Sequence, residues 1–237
     1  MNEHTVKSYE DELKLLDRRI AQMGGYAEKL LVQAMDSLER RDPKLAEKAV
    51  ADDVMVDQLE RELQDQVIVM IARRQPLAND LRHIMTVIKI AGDLERIGDL
   101  AKNIAKRALA IAGETYPKPL MTGMRHMTEM VQNQLKDVLD ALTSLDAEKA
   151  MEVWRSDQQV DAMYNSLFRE LLTYMMEDPR NIGICTHFLF GAKNIERIGD
   201  HTTNIAENVY YLVHGVPIAD DRPKGDKTSS TLITPRQ

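Results

Sequence analysis

Apolar residues recur every three or four positions along most of the chain, the spacing of helices that bury one face. In one segment the series Val87, Ile90, Leu94, Ile97, Ala101, Ile104, Ala108, Ile111 is apolar at every step. An unbroken stripe of this kind is expected at the seam of a helical bundle. A second segment gives Phe188, Gly191, Ile195, Ile198, Thr202, Ile205, Val209, Leu212, the same frame with gaps at Gly191 and Thr202. Breakers divide the chain into six predicted helices, at about 5–40, 42–74, 77–112, 120–144, 146–177 and 181–213. Asp42-Pro43 reads as an N-cap with Pro in the first turn. Gln75-Pro76 and Asp178-Pro179 are stops, because Pro and the residue before it avoid helix interiors. Met23-Gly24-Gly25 is a weak point inside the first helix.

The second half repeats the plan of the first. The string Glu-Arg-Ile-Gly-Asp stands at Glu95–Asp99 and again at Glu196–Asp200, 101 residues on, each time followed by Asn-Ile-Ala (Asn103–Ala105 and Asn204–Ala206). Asp53 and Asp57 match Asp157 and Asp161 at an offset of 104, which the capping residues Asp42 and Asp146 share. The expected architecture is all-α: two tandem homologous three-helix bundles, elongated, with short antiparallel connections. The first unit is placed at residues 1–115 and the second at 116–213. Residues 214–237, rich in Gly, Pro, Asp, Lys, Ser and Thr, are read as a mostly disordered tail.

Composition narrows the function. The chain of 237 residues is 43% hydrophobic but only 5% aromatic, with 14 Met, which favours helices over strands. With 38 acids against 31 bases it lacks the basic footprint of non-specific nucleic-acid binding. The single cysteine, Cys185, suits a reducing cytoplasm. No apolar run approaches the roughly 20 residues of a membrane span, and the polar N-terminus lacks a signal-peptide core. A cytoplasmic protein that does not insert in the membrane is expected, although it could dock on a membrane protein.

The repeated acids are the candidate chemistry. Glu95 and Asp99 lie at i and i+4 and project side by side, as do Glu196 and Asp200. On a helical wheel they continue a line that is apolar earlier in each helix, at the edge of the bundle. Gly98 and Gly199 fall between that line and the core stripe, where a missing side chain admits a close approach. Paired carboxylates repel one another unless solvent, an Arg such as Arg96 or Arg197, or a bound cation offsets the charge. Oxygen ligands suit hard ions such as Mg²⁺, Ca²⁺, Mn²⁺ or iron. Asn103 and Asn204 could add an amide oxygen, and Asp53/Asp57 and Asp157/Asp161 repeat the i, i+4 spacing on the second helix of each unit. Common ancestry of the halves would also preserve these acids with no ligand at all. His83, His187 and His201 have no second His at ligand spacing; Cys185, Trp154 and Tyr174-Met175-Met176 are read as core or partner surface.

With Leu94–Asp99 (LERIGD), Thr173–Arg180 (TYMMEDPR) and Ile195–Asp200 (IERIGD), the chain resembles the PhoU family of bacterial phosphate-transport regulators over nearly its whole length. The resemblance implies a regulator, not an enzyme. It implies a negative regulator of the phosphate-starvation response and a modulator of phosphate uptake, an adaptor between the phosphate-specific ABC transporter and a sensor histidine kinase. The partners implied are the transporter's ATPase subunit, the cytoplasmic sensory domain of the phosphate-sensing kinase, and a second copy in a homodimer. It also implies that Glu95, Asp99, Glu196 and Asp200 hold Mg, Mn or Fe ions, in some members as multinuclear clusters.

Two other classes compete. A carboxylate-bridged metal-dependent bundle enzyme would use Glu-x-x-His pairs, but Gly98 and Gly199 stand where the His is needed. A purely structural helical scaffold would need only the hydrophobic stripes.

Overall fold

The structure, a computed structural model, describes residues 3–220 together with Arg222 and Gly225. Among the described residues there are seven α-helices: α1 (Glu3–Arg40), α2 (Pro43–Asp52), α3 (Val54–Arg74), α4 (Ala78–Ala110), α5 (Lys118–Ser144), α6 (Ala147–Glu177) and α7 (Ile182–His214). A 3-10 turn, Pro179–Asn181, leads into the last. No strand occurs among the described residues. At 1.5 Å per residue α1 spans about 57 Å, so the molecule is long for its mass.

The helices form two three-rod units: α1, α2–α3 and α4, then α5, α6 and α7. The most extensive packing is α6 on α7, α1 on α4, and α4 on α7. The last contact joins the units, so their cores merge into one hydrophobic cluster. Every member of the predicted stripe from Val87 to Ile111 is buried. In α7 the two gaps are filled. Met124 Cε lies 3.0 Å from where a Cβ on Gly191 would be, and the Thr202 hydroxyl donates to the Ile198 carbonyl at 2.9 Å.

Local detail supports the duplication. Arg41 and Leu145, 104 residues apart, both take left-handed angles (φ 53° and 54°). The next residue is then an aspartate N-cap. Asp42 accepts from the Lys44 and Leu45 amides, and Asp146 from the Lys149 amide. The same turn thus sets the start of the middle rod in each unit.

Two expectations need correction. The helix expected over 42–74 is interrupted at Asp53, where the ladder tightens: the Val56 amide bonds to the Asp53 carbonyl at 2.9 Å, a three-residue step. The backbone angles at Asp53 stay helical (φ −58°, ψ −33°), so the rod continues without reversing. The weak point at Gly24-Gly25 is no break either, because α1 runs through it. Gly24 faces Leu139 of α5, whose Cδ1 would lie 2.7 Å from an added Cβ, so the missing side chain is occupied by the second unit. Of the expected tail, residues 221, 223, 224 and 226–237 lie outside the described residues. Helix α7 itself ends at Gly215 in a left-handed cap (φ 77°).

Candidate metal centres

The first acid cluster is built from two rods. Asp53 stands at the α2–α3 junction, Asp57 one turn on, and Asp99 on α4. Their carboxylates each offer an oxygen within 4.8 Å of the others, and they form a group of three that could hold a metal ion. Asp53 is buried, with Oδ1 lacking a hydrogen-bond partner among the described residues. That oxygen lies 3.1 Å from the position a Cβ on Gly98 would take. The glycine of the repeated string therefore lets a buried carboxylate seat directly on α4. A buried orphan oxygen beside two further carboxylates is the donor set a hard cation wants.

A lysine already serves this cluster. Lys102, one turn beyond Asp99, places Nζ 2.5 Å from Asp53 Oδ2 and 2.5 Å from Asp99 Oδ1. Burial lowers the Lys102 pKa, but its two carboxylate partners raise it further, and the ammonium ends well above its ordinary value. Asp53 goes the other way from what an ion pair alone would do. Burial pushes its carboxyl up, against the lowering by Lys102. The two partners differ because the aspartate is the more deeply buried, with its side chain 4% exposed against 21% for the lysine. Arg96 Nη1 also stands 3.5 Å from Asp99 Oδ2, so the rise at Asp53 comes first from burial and not from a lack of cations.

The equivalent acids of the second unit share this frame but are not drawn into a group of three within 4.8 Å; Arg222 links Asp157 and Asp200 instead. Asp157 and Asp161 of α6 are buried, and Asp200 of α7 is half-buried. An added Cβ on Gly199 would meet Val160 at 3.5 Å, Asp157 Oδ1 at 3.6 Å and Gln134 Oε1 at 3.7 Å. In the first unit Gly98 meets Val56, Asp53 and Leu30. Gln134 thus takes the place of Leu30, 104 residues on, and brings to the second cluster a buried Oε1 that has no hydrogen-bond partner among the described residues. Burial raises the Asp157 pKa, offset in part by Arg222.

The remaining predicted residues fall around these groups. Glu95 lies beside the first cluster and outside the group of three. Its carboxyl is raised by burial and by Asp99, and Arg96 Nε stands 3.4 Å from Oε2. Glu196 is buried and pairs with Lys193 at 2.7 Å. Asn103 is exposed. Asn204 donates to Asp93 of α4 at 3.3 Å and offers Oδ1 to Arg222 at 3.5 Å. Sequence reasoning missed Lys102, Gln134, Arg222, and Asp93, which pairs with His201 Nδ1 at 2.9 Å across the two units. Lys102 was legible as the residue at i+3 from Asp99. Nothing in the pattern announced the other three, whose role depends on contacts between distant segments.

The other singled-out residues have structural partners. Trp154 is buried and donates to Glu207 at 3.0 Å. Cys185 is buried, and burial pushes its thiol up. His83 pairs with Asp17 at 2.7 Å, and burial followed by Arg107 lowers the His187 pKa. Met176 is exposed, whereas Tyr174 and Met175 pack against the core. Among the described residues no helix is long and apolar enough to cross a membrane.

Comparison with known proteins gives a consistent result. The family model described as PhoU domain matches twice, at residues 20–108 and 124–209. A Rhizobium meliloti (strain 1021) protein named phosphate-specific transport system accessory protein PhoU homolog is 52% identical over 227 residues, 96% of each chain. A homologue of the same name from Caulobacter vibrioides is 48% identical over 97% of this chain and 100% of its own. The crystal structure of PhoU from Pseudomonas aeruginosa superposes with a TM-score of 0.85 at 39% identity, covering 88% of this chain and all of the other. That of the phosphate transport system regulatory protein PhoU from Streptococcus pneumoniae gives 0.81 at 26% identity, over 89% of this chain and 99% of the other.

Proposed function

The chain belongs to the PhoU family, and from that premise we propose that it is an accessory regulator of phosphate transport, an adaptor and not an enzyme. Support comes from relatives named accessory proteins of the phosphate-specific transport system, which align over nearly the whole chain. In this reading it joins the ATPase subunit of the transporter to the cytoplasmic domain of a phosphate-sensing histidine kinase. It works in the cytoplasm as a homodimer and holds the starvation response off when phosphate is plentiful.

The observation that carries the mechanism is the duplicated acid cluster seated on a glycine. Asp53, Asp57 and Asp99 would hold an ion in the first unit, with Glu95 beside them. Asp157, Asp161 and Asp200, with Gln134, would do so in the second. A Mg²⁺, Mn²⁺ or iron ion, if bound, would supply positive charge to carboxylates that burial otherwise disfavours. The chain's own part is to fix those carboxylates. Gly98 and Gly199 let Asp53 and Asp157 lie flat on α4 and α7, tying the middle rod to the inner helix. Each cluster is therefore a clamp between rods, and its charge state sets the acidic surface a partner meets.

The test is a phosphate-starvation reporter in cells lacking the protein, grown with ample phosphate. The parent chain should restore repression. Asp99→Asn/Asp200→Asn, purified without chelator alongside the parent, should lose metal by elemental analysis and repress less well while remaining helical. A parent that fails to repress removes the regulator reading. A metal-free, folded variant that represses fully removes the ions from the mechanism.

A further inference from the structure

In each unit one cation of the chain bridges two of the acids, but the two are attached differently. In the first unit Lys102 bridges Asp53 and Asp99. The residue 101 positions on is Thr203, a buried hydroxyl that donates to the Gly199 carbonyl at 3.0 Å and carries no charge. The second unit thus has no cation at the position equivalent to Lys102. Its place is taken from outside the bundle by Arg222, beyond the end of α7. Nε and Nη2 of Arg222 donate to Asp157 Oδ2 at 3.2 and 3.0 Å. Nη2 also reaches Asp200 Oδ1 at 2.7 Å. These are the equivalents of the two carboxylates that Lys102 bridges.

The contact is part of a longer attachment. The Gly225 amide donates to Asp161 Oδ2 at 2.6 Å, and its carbonyl accepts from Asn165 Nδ2 at 2.9 Å. Ile218 packs against the core. Ile218 and Arg222 also wall a groove of about 830 Å³ with Asp93 and Arg96 of α4 and Asn204 and Glu207 of α7. The Arg222 side chain is 15% exposed and Asp157 3%. An ion pair this shielded is held in place far better than a surface pair.

We propose that Ile218, Arg222 and Gly225, beyond the end of α7, act as a strap, with Arg222 as a tethered cation that fills the second acid cluster and must leave before another cation enters. The backbone of Lys102 is fixed within α4, so its ammonium can only swing aside. Arg222 lies beyond the end of α7 and can withdraw with its backbone once the contacts of Ile218 and Gly225 release. The second cluster is therefore the more readily exchanged. Entry of a metal ion there would free the strap and uncover the groove between α4 and α7, at the join of the two units. The exchange half of this inference rests on the metal reading above; the strap itself does not.

Trypsin cleavage at the Lys224–Gly225 bond tests the strap without any metal, since Gly225 is held against α6 when the strap is docked. Trypsin does not cut after Arg222, which is followed by Pro223. In chelator, Arg222→Gln should be cut about tenfold faster than the parent, because cleavage tracks the undocked population. Arg222→Lys should fall between, keeping the charge without the fork. Cleavage of Arg222→Gln at the parental rate overturns the strap. Calorimetric titration with Mn²⁺ tests the exchange in the parent, Arg222→Gln and Asp157→Asn/Asp200→Asn. Arg222→Gln should bind at the second cluster about tenfold more tightly than the parent. Equal or weaker binding overturns the exchange. No Mn²⁺ bound by any of the three removes the metal reading instead, and the cleavage comparison then decides the strap alone.

Discussion

Asp53, Glu95 and Asp157 keep their protons to higher pH than ordinary carboxyls, in each case first because burial strips water from the charged form. A carboxyl whose pKa is raised by folding binds more protons in the folded state than in the unfolded one. Stability is then lost as pH rises from the ordinary carboxylate range through the raised values. Glu28 is raised by burial as well, whereas Glu12, lowered by its bond to Arg74, and His187, lowered by burial, slope the other way near their own unfolded values. The raised carboxyls should therefore lower the melting temperature of the metal-free protein between about pH 5 and pH 7.5, over the opposite slope of His187. Asp53→Asn should flatten this profile, and melting curves in chelator across the range would show it. A variant slope equal to the parent's would mean Asp53 is not the titrating group. At this scale the repeated acids and the glycine between them were visible in the sequence. What was not visible is that Asp53, named only for its i, i+4 partner, is the most buried donor of the first cluster. Its depth depends on the approach of α3 to α4, which no local pattern encodes.

Among the helices, glycine separates propensity from packing. Gly92 in α4 has no atom within 4 Å of an added Cβ, whereas Gly98, less than two turns later, has Asp53 Oδ1 at 3.1 Å. Gly92→Ala should thus gain about 0.5–1 kcal/mol from helix propensity alone. Gly98→Ala should fail to show that gain, because its methyl presses on a carboxylate held by Lys102. Urea denaturation of both variants would decide; equal stabilisation would mean the carboxylate yields freely. Helix identities and most ends were legible because caps and breakers are local: Asp42, Asp146, Gln75-Pro76 and Asp178-Pro179 all act where they stand. The interruption at Asp53 was not, since the backbone there keeps helical angles and only the hydrogen-bond ladder changes.

The two units behave as one body because they share a core. α4 packs on α7, α1 on α5, and the linker residue Tyr116 sits edge-on to Phe188 while donating to the Leu38 carbonyl at 2.5 Å. Ile97→Ala and Ile198→Ala, one in each unit and both fully buried, should each cost about 2–5 kcal/mol. Both should shift the same single calorimetric transition. Two separable transitions, each moved by one variant, would show that the units fold independently.

Periodicity, caps and duplication are properties of short stretches, so the sequence by itself determined an all-helical chain, two three-rod units and a repeated acid string on the inner helix of each. Tertiary structure decided which acids meet. Asp53 joins Asp99, and Asp157 joins Asp200, because Gly98 and Gly199 let two rods touch. It also decided how each cluster is neutralised. The cation of the first lies three residues along the same helix, whereas that of the second arrives from 22 residues beyond Asp200, as Arg222. Charge acts through space, and only the fold sets the distances over which these charges act.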